Sequence, residues 1–334
     1  MPNHVTNTIQ VGSALLSTAY AAQTEGRYKE AAVAFSEAIA LSQIGAGDWE
    51  LRMHGQIGLA NLWRILGKYQ KSRTLFESTK RLAEETYGAD SHHTAGVLVG
   101  TAVLHKYTGD FDNAEGLYRQ ALAIFEKVRG PRSIEVAAIY HNLGGILHSK
   151  GNYTQAAGWA RRSLRIRRQI LGETHPDVAG AKGALAAILI DSHCYEEAET
   201  LLHEALESHR SRLGDNHYEI SVTLNNLGSI HYRKDDLEEA ERLFHRALTI
   251  KREVLGRDHP ECANILINIA VICIRRGSSI EADTAYDEAI RVLTRALGDD
   301  HPQVIRCLKD QLRLRRMGTP SPDILTRQKN SLTG

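Results

Sequence analysis

The residues with the most evident capacity for chemistry are histidines, of which the chain has 16. Four of them, His175, His217, His259 and His301, recur every 42 residues within LGETHP, LGDNHY, LGRDHP and LGDDHP. A residue that returns with the period belongs to the framework, so these imidazoles are expected to cap helices or pack between repeats. His141 and His148 fall on one helix face, but their spacing corresponds to about 10.5 Å of helix, too far for one metal ion. Cys194, Cys262, Cys273 and Cys307 stand apart without CxxC spacing, which favours reduced thiols over zinc or a disulfide framework. HExxH, GxSxG, P-loop and GxGxxG sequences are absent, and with them the recognisable devices for metal, nucleophilic and phosphate chemistry. The expectation is a protein that is not an enzyme, with no catalytic residues, no metal and no cofactor.

The elements that must position these residues are helical. Only 7 prolines and 20 aromatic residues (5 Phe, 3 Trp, 12 Tyr) occur among 334, while Ala and Leu recur throughout, which favours helix over sheet. Lys and Arg (41) balance Asp and Glu (40) to a net charge of +1, so no global field recruits nucleic acid or an anionic membrane. The basic run LRIRRQ at Leu164–Gln169 lacks interleaved aromatics and reads as a solvated helix face rather than an RNA site. The most apolar stretch, Ile265 to Ile274, is interrupted by Asn268 and falls short of the ~20 residues that cross a bilayer. Val11–Ala22 has no basic residue before it and fits the repeat register, so it is not read as a signal sequence. A cytoplasmic protein is expected.

The 42-residue period continues toward the N-terminus through RGPRSI at Arg129 and YGADSH at Tyr87. Each unit holds two helical stretches joined by a short turn, and Gly26, Gly67, Gly109, Gly151 and Gly277 occupy the turn where a left-handed C-cap would end the first helix. His193 and Asp235 replace glycine in two units. Small residues recur at three phases: Ala19, Ala60, Ala102, Gly144, Ala186, Gly228 and Ala270 on the first helix, and the sets starting at Ala31 and Ala38 on the second. Such positions let helix axes approach to the near end of the ~8 to 10 Å range.

This pattern resembles the tetratricopeptide repeat, and the LGxxHP loops with EAExL(F/Y)xRAL second helices are similar to the 42-residue repeats of the kinesin light chain family. The resemblance implies an all-α, right-handed α-solenoid of helix-turn-helix repeats. Seven helix pairs are expected, starting near Gly12, Met53, Ala95, Ala137, Ala179, Ser221 and Ala263, followed by a more polar capping helix from about Pro302 to Arg316. Residues 1–11 would form an N-terminal segment, 12–317 the array and 318–334 a disordered tail. No heptad-bearing segment precedes the repeats, so a motor subunit is not the expectation.

The resemblance further implies that the first helices line a concave groove. One phase there carries Asn142, Asn226 and Asn268, with Asn225 beside them. In peptide-binding arrays an Asn at this phase clamps the ligand backbone, because a carboxamide both donates and accepts. Arg233 and Arg275, then Lys309 and Arg313 on the capping helix, would make the C-terminal end basic and suit a partner with acidic residues, and Arg64 and Lys106 extend that row. The alternative for the basic residues is a solvated face paired with Asp191 and Asp310. Gly96, Gly100, Gly145, Gly180, Gly183 and Ala184 leave the middle of the groove without side chains. Tyr107, His141, His148 and Asp191 surround this hollow. The leading expectation is a protein-protein interaction scaffold that binds a peptide segment. The alternatives are a regulator that senses a peptide or metabolite in the hollow, and an atypical enzyme on the same scaffold.

Overall fold

The structure is a computed structural model that describes residues 2–43 and 48–317, without the side chains of residues 2–9, 314, 316 and 317. The segment 318–334, expected as a disordered tail, lies outside the described residues. Fifteen helices and no strand occur among the described residues. In chain order they are α1 (Pro2–Thr24), α2 (Tyr28–Leu41), α3 (Trp49–Ile65), α4 (Tyr69–Tyr87), α5 (His92–Tyr107), α6 (Phe111–Arg129), α7 (Ile134–Ser149) and α8 (Tyr153–Leu171). They continue with α9 (Pro176–Asp191), α10 (Tyr195–Leu213), α11 (Tyr218–Arg233), α12 (Leu237–Leu255), α13 (Glu261–Arg275), α14 (Ser279–Leu297) and α15 (Pro302–Met317). The fold is an all-α solenoid of seven hairpins and a final helix. Two compact units divide the chain, Met1–Ile139 and Tyr140–Gly334.

Local chemistry accounts for the hairpins. After each first helix the chain enters the left-handed region, with φ of 75° at Gly26, 80° at Gly109 and 81° at Gly277. The backbone N–H of the next residue then reaches back to a carbonyl five positions earlier, as from Asp110 to His105 at 2.9 Å, which satisfies an orphan carbonyl of the helix end. His193 (φ 59°) and Asp235 (φ 65°) adopt the same conformation without being glycine. Left-handed backbone costs such residues about 1 to 2 kcal/mol, and Asp is among the types that tolerate it best.

Helix starts are capped by side chains. The Asp48, Ser91, Asp110, Asn152 and Asp236 side chains accept a backbone N–H in the first turn of α3, α5, α6, α8 and α12. The four loop histidines do the same through Nδ1, which accepts the N–H of Asp177, Glu219, Glu261 and Gln303 at 3.1 to 3.3 Å. The small residues at all three phases are buried. Between them Phe35, Phe76, Tyr118, Phe244 and Tyr286 fill the space from the second helices, each at most 1% exposed. Helix α1 begins at Pro2, ahead of the Gly12 start that the period indicates, because the repeat sets packing register and nothing in residues 3–11 breaks a helix. Among the described residues, no helix is long and apolar enough to cross a membrane.

Candidate functional site

In the second unit the first helices lie side by side and bond directly to one another. Asn268 of α13 is buried and donates from Nδ2 to Asn225 Oδ1 of α11 at 2.9 Å. Nearer the helix C-termini, Asp191 of α9 accepts His148 Nε2 of α7 at 2.7 Å on one oxygen and Arg233 of α11 at 3.2 Å on the other. The Asp191 side chain is 2% exposed, against 11% for His148 and 14% for Arg233. One buried carboxylate thus ties three consecutive repeats together and cancels the Arg233 charge. Arg275 forms a more exposed ion pair with Asp235, whose side chain is 73% exposed, and lies over the Tyr232 ring at 5.5 Å. Of the expected basic row, Lys309 and Arg313 remain as exposed side chains of α15 with no ion pair among the described residues.

The asparagines separate into two kinds. Asn225 and Asn268 share one hydrogen bond, whereas Asn142 on α7 and Asn226 on α11 are half-buried and form no side-chain hydrogen bond among the described residues. Between those two helices runs α9, whose inner positions are nearly bare. A Cβ added at Gly180 or Gly183 would meet nothing within 4 Å, and Ala184 beside them is half-buried. Asn142 and Asn226 therefore flank a floor of backbone and methyl groups. His141 and Gly145, also half-buried, belong to the α7 side of this floor.

The hollow read from the sequence is smaller than expected. Gly100 does not contribute space, because a Cβ there would stand 2.6 Å from Cε1 of the buried Phe76 ring. The aromatic residue of the preceding second helix occupies that volume, as Phe35 does at Gly58. Tyr107 belongs to the first unit, where the Arg64 guanidinium covers its ring at 4.2 Å. Among the described residues, no group of three His, Cys, Asp or Glu side chains is arranged to hold a metal ion.

Two charged features escape a reading of groove phases alone. Lys182 is 4% exposed at a position where neighbouring repeats place Leu224 and Leu266. Its Nζ bonds to Glu173 at 2.6 Å and Glu204 at 2.9 Å, at the edge of a cavity of about 620 Å³. A second feature joins the C-terminal part of a second helix to the next first helix: Arg167 to Asp177 at 3.5 Å, His209 to Glu219 at 4.0 Å and Lys251 to Glu261 at 2.9 Å. Burial lowers the pKa of His209, with His217 adding to the effect, and raises that of Glu219. Burial also pushes Glu261 up, but Lys251 and the Tyr218 hydroxyl outweigh it and leave the carboxyl below its ordinary range. The signal for this ladder was available in the 42-residue spacing of its cations and anions.

Side-by-side helices with a bare central floor and amide groups on its flanks define a helical-repeat module. The chain belongs to the tetratricopeptide repeat family: one profile of that repeat matches residues 49–127, 177–253 and 219–282, and another matches 136–177 and 262–303. Its 42-residue repeats resemble those of the kinesin light chain type. The chain is similar to BtubC (BKLC) from P. vanneervenii, with 26% identity over 75% of this chain and 94% of that one, at a TM-score of 0.52. It is similar to the nearly identical repeats of a putative kinesin light chain from Podospora anserina (19% identity, 60% and 96% coverage, TM-score 0.51). The Rap conjugation gene regulator of plasmid pLS20, solved in complex with the Phr* peptide, shares the fold at 15% identity, with 90% and 80% coverage and a TM-score of 0.65. No curated protein sequence matches the chain.

Proposed function

We propose that the protein is a non-catalytic scaffold that binds a peptide segment of a partner across α7, α9 and α11 of the second unit. The observation that carries this reading is the pair Asn142 and Asn226, half-buried and without a bond, on either side of the bare α9 floor. A peptide backbone entering such a face loses water from its amides, and each one left unpaired costs about 1 to 3 kcal/mol. Two carboxamides offset that loss without reading side chains, while the space over Gly180 and Gly183 admits a bulky one. The Phr* peptide in the Rap complex supports the choice of a peptide over other ligands. Lys309 and Arg313 favour a partner with acidic residues, screened over ~8 Å at physiological salt. The His148–Asp191 pair does not favour an enzyme, because no hydroxyl or thiol nucleophile bonds to that histidine among the described hydrogen bonds.

The test is fluorescence anisotropy against a peptide library with the full chain. Asn226→Ala is expected to weaken all bound peptides alike, by about tenfold, as loss of ~1.4 kcal/mol implies. Gly183→Leu is expected to exclude mainly peptides with a bulky residue at one position. Unchanged affinities and preferences in both variants would move binding away from this face.

A further inference from the structure

The repeat pattern breaks twice on α14, and both departures fall on one cavity. In the other six pairs the second residue of the second helix is polar: Lys29, Gln70, Asp112, Thr154, Glu196 and Glu238. On α14 it is Ile280, which is 84% exposed. The apolar residue that opens the preceding second helices, Tyr195 on α10 and Leu237 on α12, packs against the core, whereas α14 opens with Ser279. A shift of one position turns a side chain by roughly 100° about the helix axis, so the apolar group leaves the core for solvent. The second departure is Ala285. Leu75, Leu117, Trp159, Leu201 and Leu243 hold its position on α4, α6, α8, α10 and α12, and α14 therefore lacks most of a side chain there.

The space left is part of a cavity of about 470 Å³ lined by α12, α13 and α14. Its floor is apolar: Leu248 of α12, Leu266, Ile269 and Cys273 of α13, and Ala285 itself, each at most 8% exposed. Ile280 stands on the rim. A lone exposed apolar side chain is ordinary on a protein surface, but one that extends an apolar hollow enlarges a surface that gains by leaving water. Charge narrows what would enter. Arg252 pairs with Glu288 at 2.8 Å and Arg276 with Glu241, so these groups are matched. Glu281 is exposed on the same rim and forms no hydrogen bond or ion pair among the described residues. Burial raises the pKa of the Cys273 thiol, and the Glu241 and Glu281 carboxylates, opposed by Arg276, add to the effect. An apolar group arriving alone leaves Glu281 unmatched, whereas one with a cation beside it fills the floor and pairs with that carboxylate.

We propose that this groove is a docking surface for a partner segment that places an apolar side chain over Ala285 and Ile280 and a lysine or arginine beside Glu281. It belongs to α12, α13 and α14, whereas the Asn-flanked face belongs to α7, α9 and α11, so it stands independently of the reading given above.

Short random peptides displayed on phage and selected on the full chain supply the probes, and fluorescence anisotropy reads their affinity. Clones lost in Asn226→Ala bind the other face and are set aside. The remaining clones are expected to carry an aliphatic or aromatic residue next to Lys or Arg. Ile280→Glu and Ala285→Leu give α14 the residues that α12 has at those positions, Glu238 and Leu243, and both are expected to keep the melting temperature. They are expected to weaken these clones roughly tenfold or more, the scale of one buried aliphatic side chain. Glu281→Gln is expected to weaken them several-fold, and Glu253→Gln, an exposed carboxylate of α12 outside the groove, to leave them unchanged. Absence of any clone sensitive to both Ile280→Glu and Ala285→Leu overturns the proposal. Sensitive clones without a basic residue overturn the assigned partner chemistry, and a dimer in sedimentation equilibrium that Ile280→Glu dissociates gives the groove to a second copy instead.

Discussion

Asp191 shows how one side chain decides the character of its neighbours. Its buried carboxylate accepts from His148 and Arg233 at once, so an inner face that reads as basic in the sequence is locally neutral. Removing one partner of a buried ion pair leaves the other uncompensated and typically costs about 3 to 5 kcal/mol. Asp191→Asn keeps the shape and removes the charge, and it is expected to lower the urea midpoint by an amount in that range. A loss under 1 kcal/mol would mean that Asp191 is not the group that offsets the Arg233 charge. Asn225 makes the same point for amides. Beside the ligand-facing phase, its Oδ1 is taken up by Nδ2 of Asn268 at 2.9 Å, whereas Asn142 and Asn226 form no side-chain hydrogen bond among the described residues.

At the scale of elements, stability rests on repeated junctions between one hairpin and the next. Each LGxxH loop ends in a histidine whose Nδ1 accepts a first-turn N–H, an N-cap device worth about 1 kcal/mol where the acceptor is intact. The junction between α10 and α11 adds His209, which is 2% exposed and has its pKa lowered from 6.5 by burial. The unfolded chain therefore binds this proton more readily than the folded one. Stability from this group is complete above pH 6.5 and declines as the pH falls toward the folded value. Glu219, raised from 4.5 by burial, acts in the opposite direction and offsets part of the loss nearer pH 5. Urea midpoints measured from pH 7.5 to 5.5 are expected to fall, and His209→Gln is expected to shallow that slope. An identical slope in the variant would remove His209 from the account.

For the whole molecule, a repeat array couples each hairpin chiefly to its neighbours. Ala240 on α12 is fully buried between the helices of its pair. Replacing it by Leu forces extra volume into a closed contact, at about 1 to 3 kcal/mol. Hydrogen exchange is expected to accelerate in α11, α12 and α13 while α1 to α4 keep their protection. Uniform acceleration along the chain would show instead that all repeats open together.

Period, hairpin, turn and the loop histidine caps were legible from the sequence, because each depends on contacts within one repeat or between identical surfaces of adjacent ones. The left-handed turn at Gly109 and the loop histidine caps are of this kind: a few residues determine them, and repetition makes the signal visible. The tertiary structure alone decided which polar groups remain available. Whether Asn225 meets Asn268, whether Phe76 fills the space at Gly100, and whether Arg233 finds Asp191 while Arg64 finds no carboxylate are matters of a few ångströms between side chains of different repeats. Phase along a helix names the face on which a residue lies, but it carries no distance to the residue opposite, and hydrogen bonds and ion pairs are made or missed over that distance.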